Sequence, residues 1–213
     1  GIPYSFYSSY GGEDDYKDDI NSRSYATNYL AGGSVYMPNA DGKKVPIELS
    51  LAVHSDAGYK NNALVGTLGI ATTNGVTGET IYPSGLSRKA SLDFASMLTD
   101  GVATELSRIY KVNWSRRESY DKNYSESNRP AVPSAIIETL SHQNFMDMIY
   151  AHDPWFKFNM SRSIYKAILR YVSFEHGCKY IVSPLAPNNF FMEFTGKNEI
   201  TLKWNAVKDS LEA

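Results

Sequence analysis

The chain has 213 residues, a hydrophobic fraction of 42%, a charged fraction of 21% and a formal net charge of -2 at pH 7. These values suit one globular domain of ordinary size plus a modest remainder. The charge balance provides no basic field for wholesale nucleic-acid binding, no apolar run is long enough for a transmembrane helix, and the single Cys178 excludes an internal disulfide framework. Cys178 adjoins the apolar run Tyr180–Val182 and is expected to be a buried small hydrophobe. The 16 tyrosines suit carbohydrate polymers, but they also suit ordinary amphipathic surface and core.

Ile2–Ser8 alternates apolar or aromatic with small residues and reads as a strand. Because it starts at the second residue, with no signal peptide before it, the chain is expected to be cut from something longer. Tyr10–Asp19 is a loop crowded with glycine and acids, and Asp19–Leu30 is helical, stopped by Gly32-Gly33. Val45–Val53 reads as a strand buried on both faces, because its centre, LSLAV, is nearly continuously apolar. Leu64–Ala71 reads as a neighbouring strand, and Thr73–Ser84 as a loop.

Leu86, Ala90, Phe94, Leu98, Val102, Leu106 and Ile109 recur at steps of three and four, the strongest helical period in the chain. The polar stretch Asn113–Asn128 should be a loop, and Ala131–Thr139 another buried strand. Asn144–Tyr150 is a short helix. Asp153-Pro154 then supplies an N-cap and an N1 proline for a longer helix ending near Gly177. Helices alternating with buried strands predict an α/β fold, a layered sheet with helices on both faces. After Tyr180 come prolines and two alternating segments, Phe190–Phe194 and Glu199–Trp204, which read as the opening hairpin of a β-sandwich module. The domains are therefore expected at 1–180 and 184–213.

Two short runs concentrate the chemistry. LSLAVHSDAG (Leu49–Gly58) and AVPSAIIETLSHQN (Ala131–Asn144) each deliver one reactive side chain, His54 or Glu138, where polar residues begin. Open α/β sheets place ligands and catalysts at the carboxyl ends of their strands, so the two side chains could share one crevice. A neutral imidazole at His54 can ligate Zn²⁺. Glu138 sits among apolar or small residues, where desolvation raises a carboxyl pKa. It can act there as a proton-transferring group or, equally, be a structural acid ion-paired with Arg116, Arg117 or Arg129. His142, four residues beyond Glu138, is placed to line the same cleft. His176 reads as structural at a helix end, and His152 as loop surface.

LSLAVHSDAG resembles the third-metal-ligand strand, S-[IL]-H-x-N-A, of the zinc-dependent N-acetylmuramoyl-L-alanine amidases. RPAVPSAIIETLSHQNFMDMIYAHDPWFKFNMSRSIYKAILRYV resembles the closing strand of that family, P-A-V-L-V-E-T-G-F-L-S-N, with its two following helices. DDYKDDINSRSYATNYL is similar to the segment carrying an acid, an Arg and an Asn on a helix, here Asp15, Arg23 and Asn28. The resemblance spans roughly residues 1–175. It is closer to secreted multidomain proteins labelled xanthan lyases, in which such a domain precedes a fibronectin type III module.

The resemblance implies a secreted, periplasmic or cell-surface hydrolase that cuts the N-acetylmuramoyl–L-alanine amide of peptidoglycan. It implies His54 as a zinc ligand, Glu138 as general base and acid, and Asp56, His142, Arg116, Arg117 and Arg23 as substrate-binding or supporting groups. Two departures stand out. No H-G-G turn or following Glu supplies the family's first two ligands, so an upstream segment of the parent protein is expected to complete the site. Asp56 also replaces the usual Asn, adding a negative charge. The competing readings are an inactive cell-wall or polysaccharide-binding module, and a polysaccharide lyase.

Overall fold

A computed structural model describes residues 1–209. In chain order the elements are α1 (Tyr4–Tyr7), α2 (Asp15–Ala31), β1 (Ser50–Asp56), β2 (Leu68–Ala71), α3 (Lys89–Tyr110), β3 (Tyr120–Asp121), α4 (Ser125–Asn128), β4 (Ser134–Ser141), α5 (Phe145–Ala151), α6 (Pro154–Glu175), β5 (Asn188–Gly196) and β6 (Glu199–Asn205). Four strands form one mixed sheet in the order β1-β4-β2-β3. β1 runs parallel to β4, β4 antiparallel to β2, and β2 parallel to β3. This is the layered α/β architecture anticipated from the sequence.

Side chains alternate between the two faces of a strand. Ala71, Ala135 and Ile137 point to one face and meet Phe94, Leu98 and Val102 of α3 with Met160, Ile164 and Tyr171 of α6. The core lies there, beneath the helix with the strongest apolar period. At Gly69 a Cβ would stand 2.7 Å from the Ala95 carbonyl oxygen, so α3 approaches β2 this closely only over a glycine. Leu68, Ile70, Ile136 and Ala52 form a smaller apolar cluster on the opposite face. α4 packs against β4 and β2 on that side, and α2 packs against α4.

One buried acid ties the strand ends together. Asp147 of α5 has no solvent exposure. Its carboxylate accepts the amides of Val65 (2.9 Å), Gly66 (3.1 Å) and Ser141 (2.8 Å), and the Asn144 side-chain amide (2.9 Å). It therefore clamps the approach to β2 against the end of β4. Gly66 has φ +77°, and a Cβ there would sit 2.0 Å from the Ser115 carbonyl oxygen, so no other residue fits this clamp unstrained.

Several local expectations give way to the structure. Ile2–Ser8 is not a strand: Pro3 caps the helical turn α1, and Phe6 packs on Tyr25 and Tyr29 of α2. β1 starts at Ser50, later than expected: the amides of Lys43, Lys44 and Val45 bond to the carbonyls of Tyr29, Gly32 and Leu30 at the end of α2, and Pro46 has no amide to give a sheet ladder. Nor is β1 buried on both faces. It is the sheet edge, and Val53 is 60% exposed. Leu64–Ala71 contributes only its second half as strand. The polar stretch 113–128 contains β3 and α4. Cys178 is exposed, because Gly177 ends α6 with φ 57° and the chain leaves the core.

β5 and β6 pair antiparallel as a separate two-stranded sheet whose residues are almost all exposed. Residues 210–213 of the expected second module lie outside the described residues.

Replacing Asp147 with Ala leaves three backbone amides without their acceptor inside the protein. We expect a loss of about 3 kcal/mol in urea unfolding, with Asp147→Asn also destabilising because an amide replaces one acceptor oxygen with a donor. Stability within about 0.5 kcal/mol of the parent would show that water replaces the carboxylate there.

Candidate active site

The β1–β4 register sets His54 directly opposite Glu138. Both strands run in the same direction, so both side chains arrive at carboxyl ends. Both belong to the face bearing Ile136, Leu68 and Ile70, and all five line one cavity of about 330 Å³. Asp56, Arg23, Arg117 and Glu126 line it as well, with Tyr16, Tyr120 and Tyr124. The floor is apolar sheet, and the charged groups stand around it.

His54 Nε2 lies 2.7 Å from Glu126 Oε2. Glu126 in turn meets Arg23 Nη1 at 3.3 Å, and Arg23 Nη2 meets Asp19 at 2.6 Å. Arg117 donates to Asp56. Glu138 pairs with none of the arginines proposed as structural partners: Arg117 is bound to Asp56, Arg116 to Asp100 on α3, and Arg129 to the Tyr25 hydroxyl. Glu138 Oε2 is buried with no hydrogen-bond partner.

Two of the three acids lining the cleft, Glu138 and Asp56, are driven apart in proton affinity. Burial raises the Glu138 carboxyl above the ordinary glutamate value, and the Asp56 charge adds to this. His54, Arg117 and His142 offset it only partly. At Asp56 burial also opposes ionisation. There the Arg117 hydrogen bond and the Ala57 amide outweigh it and hold the carboxyl below its usual range.

The remaining anticipated residues divide. Arg23, Asp56 and Arg117 reach the cleft. Arg116 does not: its bond to Asp100 draws it toward α3. His142 stands just past β4, with its amide on the Asp56 carbonyl (2.9 Å) and Nδ1 3.1 Å from Ser55 Oγ, outside the cavity lining. Asn28 links α2 to the segment before β4, donating to the Arg129 carbonyl (3.0 Å) and accepting the Ala131 amide (2.8 Å). Asp15 is exposed in the first turn of α2. His176 caps the end of α6, with Nε2 2.6 Å from Glu48. Glu126 and the three tyrosines escaped sequence reading, since nothing in their spacing ties them to His54.

A catalytic zinc site needs three protein donors and an open position. Glu138 offers an unpartnered oxygen and His54 an imidazole. Yet among the described residues no group of three His, Cys, Asp or Glu side chains converges to hold a metal ion. The residues present do not form a zinc site by themselves.

Similarity to known proteins lies in structure rather than sequence. No family model matches the chain, and no curated protein does. Its structural neighbours include N-acetylmuramoyl-L-alanine amidases, and the mixed sheet flanked by helices is the fold it shares with them. One is the CwlD amidase from Clostridioides difficile, solved in complex with the GerS lipoprotein: 13% identity, TM-score 0.50, covering 79% of this chain and 70% of that one. Another is the N-acetylmuramoyl-L-alanine amidase from Clostridium difficile 630: 10% identity, TM-score 0.47, covering 73% of this chain and 83% of that one.

A raised carboxyl pKa is a folding penalty wherever the group is ionised. The protonated form folds without that penalty, which grows as pH rises from the ordinary glutamate value toward the raised folded value and is complete above it. Glu138→Gln should therefore raise Tm at pH 7, with the gain vanishing below about pH 3, where the acid is neutral in both states. A Tm series against pH measures this, and a lower Tm for the variant at pH 7 would contradict the unpaired, desolvated carboxylate.

Proposed function

We propose that the domain hydrolyses the amide between N-acetylmuramic acid and L-alanine in peptidoglycan, at the cell wall and outside the cytoplasm. The observation that carries this is Glu138: a carboxyl with raised proton affinity and a buried, unpartnered oxygen, in register with His54 on the floor of an open cleft. The amidase fold of the structural neighbours and the two strand motifs support the same reading.

Glu138, ionised, takes a proton from water as the water oxygen bonds to the muramoyl carbonyl carbon. It returns that proton to the alanine nitrogen as the carbon–nitrogen bond breaks, leaving a carboxylic acid and a free amine. A proton affinity above that of an ordinary carboxylate suits a group serving as base and then as acid. Arg117 keeps Asp56 from competing for the proton. Glu126 fixes the ring of His54.

Zinc dependence belongs to the proposal in restricted form. His54 is one donor, and the others come from outside this chain, on a segment that adds beside β1. The hairpin β5–β6 is likewise proposed as the opening of a fibronectin type III-like module.

Incubation with purified muropeptides, followed by chromatography of released stem peptide, tests the proposal. Glu138→Gln should lower turnover by about 10²–10⁴-fold while the protein stays folded. Undiminished turnover in that variant removes the role of Glu138. Absence of release from the parent protein containing this domain, zinc supplied, leaves the inactive binding module as the better reading.

A further inference from the structure

Three hollows on the α2 side of the sheet adjoin through shared lining residues. The central one holds His54 and Glu138. It shares Arg23, His54 and Glu126 with a groove of about 420 Å³ along β1, and shares Tyr16, Ile20 and Ser125 with a third hollow of about 370 Å³. The hollow with His54 and Glu138 thus adjoins both of the others, an extended depression suited to a chain-like ligand.

The third hollow has its own chemistry. Tyr10 and Tyr16 line it with Asn21, Asn123 and Asn128, and no Asp or Glu is among its lining residues. The side chains of Asn21 and Asn128 are buried and hydrogen-bonded within the protein, so the exposed Asn123 is the amide offered to a ligand. Tyr16 is 74% exposed although it sits on a well-formed helix. Two of the nearby cations are matched by acids: Lys17 pairs with Asp14 at 2.9 Å, and Arg23 is shared between Asp19 and Glu126. Arg129 donates to the Tyr25 hydroxyl at 3.1 Å, a neutral oxygen that leaves the guanidinium charge unbalanced. Exposed aromatic faces beside an exposed amide and a guanidinium suit a ring with one C–H face and several hydroxyl or acetamido groups.

Resting on the amidase reading above, we propose that this third hollow is a saccharide subsite. It takes an N-acetylhexosamine unit of the glycan strand next to the one whose amide lies at Glu138, with Tyr16 as the stacking platform.

Calorimetric titration of the full chain with chitotetraose, an N-acetylglucosamine tetramer lacking any muramoyl–alanine amide, tests the subsite apart from hydrolysis. Saturable binding is expected, weakened about 10-fold by Tyr16→Ala and less than about 2-fold by Tyr16→Phe, which keeps the ring. Tyr16 is surface-exposed, so its truncation leaves the fold intact, and circular dichroism verifies this. No binding up to about 10 mM, an unchanged Kd in Tyr16→Ala, or displacement of the tetramer by free stem peptide would each overturn the subsite. Tetramer binding without muropeptide hydrolysis upholds the subsite and counts only against the amidase reading. Hydrolysis without tetramer binding does the reverse.

Discussion

The buried carboxylate of Asp147 is the interaction on which the cleft geometry depends. Three backbone amides and one side-chain amide converge on it, from the approach to β2, the end of β4 and the start of α5. Removing a carboxylate from water costs several kcal/mol, and only such a set of charge-assisted hydrogen bonds offsets that cost. The consequence reaches the cleft directly. Ser141 is held at the end of the strand that carries Glu138, while Gly66 is held just before β2, whose Leu68 pairs with Glu138 from the other side. Glu138 is thus fixed in position by its neighbours in the sheet while its own Oε2 stays without a partner. A proton-transferring group needs that combination of a rigid backbone and an uncommitted head.

Legibility in the sequence followed the range of the forces involved. α3 and α6 were readable because their apolar periods report burial against a single face, and the Asp153-Pro154 cap is a local signal. The hairpin strands were readable by alternation. The meeting of His54 and Glu138 on neighbouring strands was readable because a polar side chain at the end of an apolar run is locally anomalous. β1 misled because continuous apolarity reports a strand that would be buried on both faces, whereas only one of its edges is paired among the described residues. α1 misled because a two-residue alternation over seven residues cannot outweigh a proline cap and an aromatic contact made with α2. Glu126 lay beyond reach, since only the folding of a polar stretch into α4 brings it to His54. The partners of Arg116 and Arg117 were undecidable for the same reason: adjacent along β-like chain, they point apart, one to α3 and one to the cleft.

The edge position of β1 joins the fold to the proposed chemistry. A seven-residue strand with an exposed Val53 and an open row of amides and carbonyls invites pairing, which proteins ordinarily suppress with charge, proline or a covering element. Here α2 stands beside that edge without covering it, and the gap between them is the groove that opens into the cleft. The same edge carries His54, an imidazole short of companion donors among the described residues. An unpaired ladder and an incomplete donor set thus meet at one place. A single added strand would address both.

Asp56 gives the departure from the amidase motif a physical meaning. An Asn at that position would add no charge to the cleft. The aspartate adds one, and Arg117 holds it ionised by a direct bond. Its field is among the influences that raise the proton affinity of Glu138, alongside the larger effect of burial. Two acids on neighbouring strands, both opening on one cavity, are thereby assigned opposite tendencies by their surroundings: one keeps its charge, the other readily takes up a proton. Such divergence separates an electrostatic support from a proton carrier. It also makes Arg117 more than a surface cation. Its bond to Asp56 keeps that carboxylate ionised beside the proton that Glu138 is proposed to carry, so Asp56 and the arginine that answers it act as one unit.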